Sequence, residues 1–542
     1  MKFLNRRKYK ILSAIRSSWA GTKEKYRNRA AFIKYDNLCK DKYYYHSLTE
    51  QTLLDIDIDS LLEYIDRTET SIGQQYLYHI LLHPTNDLNQ LNEIHEQSVY
   101  FQHNTAIRER VLYELVLLEK AGCEGFVDIF TAKPNVFKKH AAFQFLTALS
   151  IISFAGIFFF KPAFIFFLVV AFVNIALHYI LQVRNEPYYN MLRHIHSSIV
   201  SVKKIKDVLP DTRVYPGFKE DIIHLKPFSK YYSILNFGRP HDDLSATILF
   251  LLELVKGVFL AEIHIFHKLF TLAQHKKHSL LNIYKFLGAT DMHISIASVL
   301  SDASVQTCHP VLSDKKECLQ FEDARHPVID NCQPNSLTVS AKSVLITGSN
   351  MSGKSSFLRT ILINSILSQT VSFCFAKRYI SPILKQYSCI AINDDLLNAK
   401  SYYLKELLCI KQITDQANGS TRNLFLIDEI FKGTNTIERV ALATNTLLYL
   451  TANSDIVIAS THDLEIAGNL SQSFDEYHFA DSVIDGELHF NYALNKGRLK
   501  TRNAIKLAKL AGYPESVLNG AMTMVERSLS SSDNVQPYRG DR

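Results

Sequence analysis

Gly348-Ser349-Asn350-Met351-Ser352-Gly353-Lys354-Ser355 is the stretch on which the reading of the chain turns. The β-prone run Ser343-Val344-Leu345-Ile346-Thr347 precedes it, and the helical pattern Ser356-Phe357-Leu358-Arg359-Thr360-Ile361-Leu362 follows. A strand, a loop with glycine at its first and sixth positions, Lys-Ser and a helix, in that order, make a phosphate-binding loop in its expected setting. Backbone N–H groups of such a loop and of the helix N-terminus hold β- and γ-phosphates, so Gly348, Asn350, Gly353 and Ser356 are candidate nucleotide contacts. Lys354 adds a point charge, and the Ser355 hydroxyl is a candidate Mg²⁺ ligand.

Two later strands complete the chemistry. Leu424-Phe425-Leu426-Ile427 is apolar throughout, as a strand of a parallel sheet is when both faces are covered. It delivers Asp428-Glu429 at its C-terminal end, where doubly wound sheets carry their sites. Asp428 is then a candidate Mg²⁺ ligand through water, and Glu429 the group that orients or deprotonates the attacking water. Ile456-Val457-Ile458-Ala459-Ser460-Thr461-His462-Asp463 is a second buried strand with a polar end, and His462 is a candidate sensor of the γ-phosphate or the attacking water. ATP and Mg²⁺ are the expected ligands. The expected fold is an α/β P-loop NTPase domain over residues 318–525, preceded by an all-α lever or core domain that contains a transmembrane helical hairpin.

The chain has 542 residues, enough for several domains, and its net charge of +7 is mild but uneven. Residues 2–34 hold eleven Lys or Arg against the single acid Glu24, a basic leader assigned to residues 1–50 that suits anionic lipid, nucleic acid or water alike. Eight cysteines are scattered without a Cys-x-x-Cys pair, which indicates neither a zinc site nor a disulfide framework. The chain reads as reduced and intracellular, with no secretory signal.

Residues 51–140 show helical periodicity, with Leu53, Leu54, Ile56, Leu61, Leu62 and Ile65 before a polar break, then Leu77, Ile80, Leu81 and Leu82 up to His83-Pro84. Residues 141–160 and 163–181 differ in kind: each run is close to the ~20 apolar residues that cross a bilayer, and only Lys161-Pro162 separates them. They read as a membrane hairpin over residues 141–183, with Lys161 snorkelling at the far interface. Lys138, Lys139 and Arg184 flank the open end, so both long parts are expected to face the cytoplasm. From 184 to 317 the pattern is helical again, broken by Pro210, Pro216, Pro227 and Pro240. Residues 526–542 read as a polar tail.

Together these residues resemble the MutS family of mismatch-repair ATPases. Thr347-Gly348-Ser349-Asn350-Met351-Ser352-Gly353-Lys354-Ser355-Ser356 is similar to that family's TGPNMGGKST, with Ser349 for Pro and Ser352 for Gly. Asp428-Glu429-Ile430-Phe431-Lys432-Gly433-Thr434-Asn435-Thr436 resembles DEIGRGTST, and Ser460-Thr461-His462 matches the switch strand. Asn393-Asp394-Asp395-Leu396 and Ser401-Tyr402-Tyr403-Leu404-Lys405-Glu406 resemble the DDL and STFMVEM stretches, and Ala324-Arg325-His326-Pro327-Val328 the GRHP strand. More loosely, Thr70-Ser71-Ile72-Gly73 and Gly288-Ala289-Thr290-Asp291 are similar to the start and end of the family's core and lever. The resemblance implies an ATPase acting as a homodimer with composite sites. Ser401 would reach the nucleotide of the other subunit, while Glu429 and His462 remain the hydrolytic pair within one.

The departures from the pattern limit what carries over. About fifty residues precede the core, too few for the domain that probes an unstacked base in mismatch readers. Cys332 stands where relatives carry the aromatic that stacks on adenine, and soluble mismatch-repair proteins have no membrane hairpin. The expected function is ATP binding and hydrolysis by a membrane-anchored, MutS-like protein that binds mismatched, branched or otherwise structured DNA. The alternative is a membrane-anchored, ATP-driven mechanical switch that moves partner proteins without nucleic acid. A transporter ATPase is disfavoured, since one hairpin supplies no translocation path and the LSGGQ signature is absent.

Overall fold

The computed structural model describes residues 2–23, 28–39, 43–132, 140–235, 243–313, 318–349, 351–391, 402–417, 419, 421–452, 455–484, 487–498, 505, 508–509 and 512–532. Asn350, Ser401, Lys138, Lys139 and residues 393–396 lie outside them, so those expectations have no structural counterpart here. The chain forms two compact units, one of residues 1–43, 65–82 and 93–304, the other of residues 44–64, 83–92 and 305–542.

The first unit is built of helices: α1 (Lys2–Ser17), α2 (Arg29–Cys39), α3 (Ser71–Leu82), α4 (Thr105–Ala121), α5 (His140–Gly156), α6 (Ala163–Arg184), α7 (Glu186–Lys206), α8 (Phe218–Leu235), α9 (Asp243–Val258), α10 (Ala261–His275) and α11 (Lys277–Leu300). Apolar residues recur at helical spacing and meet in one core: Leu192, Ile195, Ile199 and Val202 of α7, Phe266, Leu269 and Phe270 of α10, Leu280, Ile283 and Leu287 of α11. Each such side chain contributes roughly 1.5–3 kcal/mol by leaving water. The basic leader is drawn into this core through Ile11 and Ile15, and Arg16 grips Glu109 with two 2.7 Å hydrogen bonds. Arg6, Arg7, Lys8 and Lys10 stay on its exposed face.

The start of α3 and the middle of α11 are locked together. Asp291 accepts the N–H groups of Glu69 and Thr70, both at 2.8 Å, and so caps the positive end of α3. The approach is so close that a Cβ on Gly73 would fall 2.3 Å from Asp291 Oδ2, and one on Gly288 would fall 2.6 Å from Tyr76 Cβ. Two short stretches far apart in sequence thus require each other's small residues.

The apolar hairpin departs from the two equal spans expected. Among the described residues, α6 with its 22 residues is the helix long and apolar enough to cross a membrane, whereas α5 has 17 and ends at Gly156. Residues 157–160 go into the turn instead, and where the two helices meet a Cβ on Gly156 would lie 3.3 Å from Ala163 Cβ.

The second unit holds two sheets. β1 (Val311–Leu312), β2 (Leu319–Ala324), β3 (Asn335–Val339) and β5 (Arg378–Ser381) form one, in the order β1-β5-β2-β3. The other contains β4 (Ser343–Thr347), β6 (Lys385–Cys389), β7 (Asn423–Asp428), β8 (Ile456–Thr461), β9 (Phe474–Ile484) and β10 (Glu487–Lys496), ordered β10-β9-β4-β8-β7-β6 and parallel except for β10. Helices α12 (Lys354–Ser368), α13 (Tyr402–Thr414) and α14 (Thr436–Thr451) connect its strands.

Residues 44–64 and 83–92, expected within the helical core, belong to this second unit. Asp55, at the end of the short helix Glu50–Asp55, accepts Ser388 Oγ at 2.7 Å and the N–H groups of Ile390 at 3.0 Å and Ala391 at 2.8 Å. The Thr85 N–H donates to Gln369 O at 2.9 Å. Burial pushes the His46 imidazole down to about 4, so near neutral pH the ring is uncharged and its Nε2–H donates to Gln386 O at 2.9 Å.

Candidate nucleotide site

The strand register brings the three expected motifs to one edge. β8 lies between β4 and β7, with Thr347 opposite Thr461 and Asp428 opposite Ser460. The glycine loop after β4, His462 after β8 and Glu429 after β7 therefore emerge side by side. All three strands are buried almost throughout, as their uninterrupted apolar runs require.

Between β4 and α12 the backbone takes conformations that favour glycine. Gly348 has φ 151° and Gly353 φ 103°; a Cβ on Gly348 would stand 2.9 Å from Phe479 O and Ser352 Oγ. Lys354 is buried and donates to the carbonyls of Gly348 at 2.9 Å and Ser349 at 2.8 Å. Burial lowers its pKa, against the pull of the Glu429 and Asp428 carboxylates. Among the described residues, Ser349 Oγ is buried without a hydrogen-bond partner. The Ser355 hydroxyl donates to Asp428 Oδ2 and the Ser460 hydroxyl to Oδ1, so the carboxylate is held from the neighbouring strand β8 and from helix α12.

Glu429 sits at φ 48° and its N–H donates to Ser460 O at 3.1 Å, which fixes the turn out of β7. Its side chain is 2.6 Å from Lys432 Nζ, 3.5 Å from His462 Nδ1 and 4.0 Å from Lys354 Nζ. Burial alone would raise the carboxyl; Lys432 foremost, then His462 and Lys354, outweigh it and hold Glu429 below the usual range. His462 is half-exposed, and its neighbour Asp463 is gripped by Arg439 at 2.8 and 3.2 Å.

Gly353, Lys354, Ser355, Ser356, Asp428 and Glu429 line one cleft of about 640 Å³. Ile329, Cys332, Phe479 and Tyr492 line it too, among the polar Asp330, Asn331, Gln333 and Asn335. Tyr492 escapes sequence reasoning, because a register shift between Phe490 and Leu494 on β10 turns it to the cleft. Asn335 secures that bend by donating to Tyr492 O at 3.0 Å and accepting the Leu494 N–H at 2.7 Å. Lys432 and Glu406 are also additions: Glu406, buried on α13, accepts the N–H groups of Lys432 at 3.0 Å and Gly433 at 3.4 Å.

Residues 344–528 match the family model "MutS domain V". The chain is 30% identical over 242 residues to the DNA mismatch repair protein MutS of Natronomonas pharaonis, covering 43% of this chain and 28% of the relative. It is 33% identical over 241 residues to the protein of that name from Staphylococcus haemolyticus, covering 42% and 27%, and 31% identical over 236 residues to that of Staphylococcus aureus, covering 41% and 27%. The match thus spans less than a third of the length of these relatives. With strand order, glycine loop and matched segment in agreement, residues 344–528 are a MutS domain V.

Proposed function

We propose that the chain binds and hydrolyses ATP at this cleft. The observation that carries the reading is the convergence of Lys354, Ser355, Asp428 and Glu429 on one edge of the parallel sheet. A nucleotide fits the residues present, since the glycine cradle offers backbone where a Cβ would collide and Ser349 Oγ is a buried polar atom in want of a partner. Magnesium fits as well: the Ser355 hydroxyl and the Asp428 carboxylate are the hard oxygen donors this ion takes. Bound there, it would neutralise phosphate charge.

The chain's own groups supply the rest. Lys354 exchanges loop carbonyls for phosphate oxygens, and the loop N–H groups cradle them. Glu429, kept ionised by Lys432, orients the water and takes its proton, with His462 beside it to register the γ-phosphate. Ile329, Tyr492 and Cys332 offer the base apolar surface. Ser401, by its resemblance to the family's stretch, would complete the site of a second subunit in a homodimer.

DNA enters through the relatives, whose printed name is DNA mismatch repair protein. We assign this chain DNA binding of the same broad kind, with structured DNA as the substrate. Anchoring in a membrane is the third part of the reading, with both long parts on the cytoplasmic side. The length and apolar character of α6, with Arg184 at its end, support it.

Glu429→Gln is the deciding test of the enzyme. Nucleotide binding should persist while turnover falls by roughly 10²–10⁴-fold, the usual contribution of a positioned base; full turnover would remove Glu429 from its role. Electrophoretic binding to duplex, mismatched and branched DNA at several salt concentrations tests the substrate. Recovery of the full chain in the soluble fraction of lysed cells would overturn the anchor.

A further inference from the structure

The hairpin region is packed inside out. On α6 the polar residues Asn174 and His178 are 0% and 4% exposed, while Phe166, Phe172, Ile180 and Val183 are between 50% and 75% exposed. α5 repeats this, with Ser150 and Ser153 buried and Phe145 and Ile152 open. So does α9, which lies outside the apolar runs read from the sequence: Lys256 is buried, whereas Phe250, Leu251, Leu254 and Val255 are exposed. Water selects the opposite arrangement.

The inward polar groups pair with one another where α9 turns into α10, save Asn174 Oδ1, which is buried without a partner among the described residues. Asn174 Nδ2 donates to Ser150 Oγ at 2.8 Å and to Val258 O at 2.9 Å. Thr147 Oγ1 donates to Phe259 O at 3.2 Å. His178 Nε2 lies 3.2 Å from Glu262, and Lys256 Nζ 2.6 Å from Glu253. His178, Glu253 and Glu262 are close enough together to suggest a metal site. Each carboxylate already has its own cationic or imidazole partner, however, so the group closes on itself as a paired network.

Such internal pairing is what a hydrocarbon solvent favours, because no water is there to satisfy a polar group left unpaired. α9 also reaches α6 closely enough to share its surroundings: a Cβ on Gly257 would be 3.4 Å from Ile175. Glu253, the charged side chain on its open face among the described residues, enters as an ion pair.

We propose that α9 is a third lipid-immersed helix, whose open face over residues 250–255 continues the acyl-chain contact surface of α5 and α6. The proposal rests on the membrane reading of the hairpin, and its test separates the two. The chain has one tryptophan, Trp19, so Trp19→Phe gives a silent background. Single tryptophans then replace Phe250 and Leu254 on α9, Phe166 on α6, and exposed Ile223 on α8 as a control away from lipid. The full chain is reconstituted in phosphatidylcholine vesicles with and without brominated acyl chains. Bromine should cut the emission at positions 250 and 254 as strongly as at 166, and leave 223 unchanged. A loss at 166 that is missing at either α9 position overturns the proposal and keeps the hairpin in the bilayer. No loss at any position overturns both.

Discussion

Lys432 Nζ stands 2.6 Å from Glu429 Oε2, three residues along the turn that leaves β7. The ammonium is the main reason that this carboxyl sits below its usual range in spite of its burial. A carboxylate that activates water works only when ionised, so the lowered pKa extends activity toward acid. Lys432→Met removes that support, and the acid limb of the turnover–pH profile should move to higher pH. An unmoved limb in that variant would show that Lys432 does not tune Glu429.

Lys354 has its ammonium on the Gly348 and Ser349 carbonyls, aimed along the glycine loop. Lys354→Ala should weaken nucleotide binding by about 1.5–3 kcal/mol, the value of a hydrogen bond to a charged group, or roughly 10–100-fold in Kd. Titration with a fluorescent nucleotide reads this directly. Unchanged affinity would undo the phosphate-loop assignment.

Asp55 satisfies two backbone N–H groups just past β6 as well as the Ser388 hydroxyl. Asp55→Ala leaves those donors buried without an acceptor, at about 1–3 kcal/mol for each N–H. The unfolding transition of the second unit should fall in temperature, while that of the first stays in place. Two-transition calorimetry separates them, and a fall confined to the first unit would contradict the docking described.

The strands and glycine loop around the cleft were readable in the sequence wherever a short run carries its own signal. Leu424 to Ile427 and Ile456 to Ala459 announce buried strands, and Gly348 and Gly353 announce a backbone that only glycine takes easily. Tyr492 was not readable, because a bulge rather than a repeat aims it. Asp55 was not either: Ser388, Ile390 and Ala391, which it holds, lie more than three hundred residues away, and no local pattern points to them. The end of α5 was hidden for another reason. Residues 157–160 are as apolar as the helix before them, so hydrophobicity could not show that the helix ends at Gly156.

Glu406 carries the last expectation. It is buried, and both of its oxygens accept backbone N–H groups from the turn that presents Lys432 and Glu429. Burial raises its pKa, against the pull of those N–H groups and of Lys432. It does not line the cleft, so its part is to position the turn that presents the Glu429 carboxylate. Glu406→Ala frees that turn, and kcat should fall while nucleotide affinity holds, because the glycine loop and Lys354 are untouched. Glu406→Gln keeps one acceptor oxygen and should recover part of the loss. Since the Glu429 carboxyl depends on Lys432, the alanine variant should also show an acid limb displaced to higher pH. A merely structural role would lower thermal stability without moving that limb.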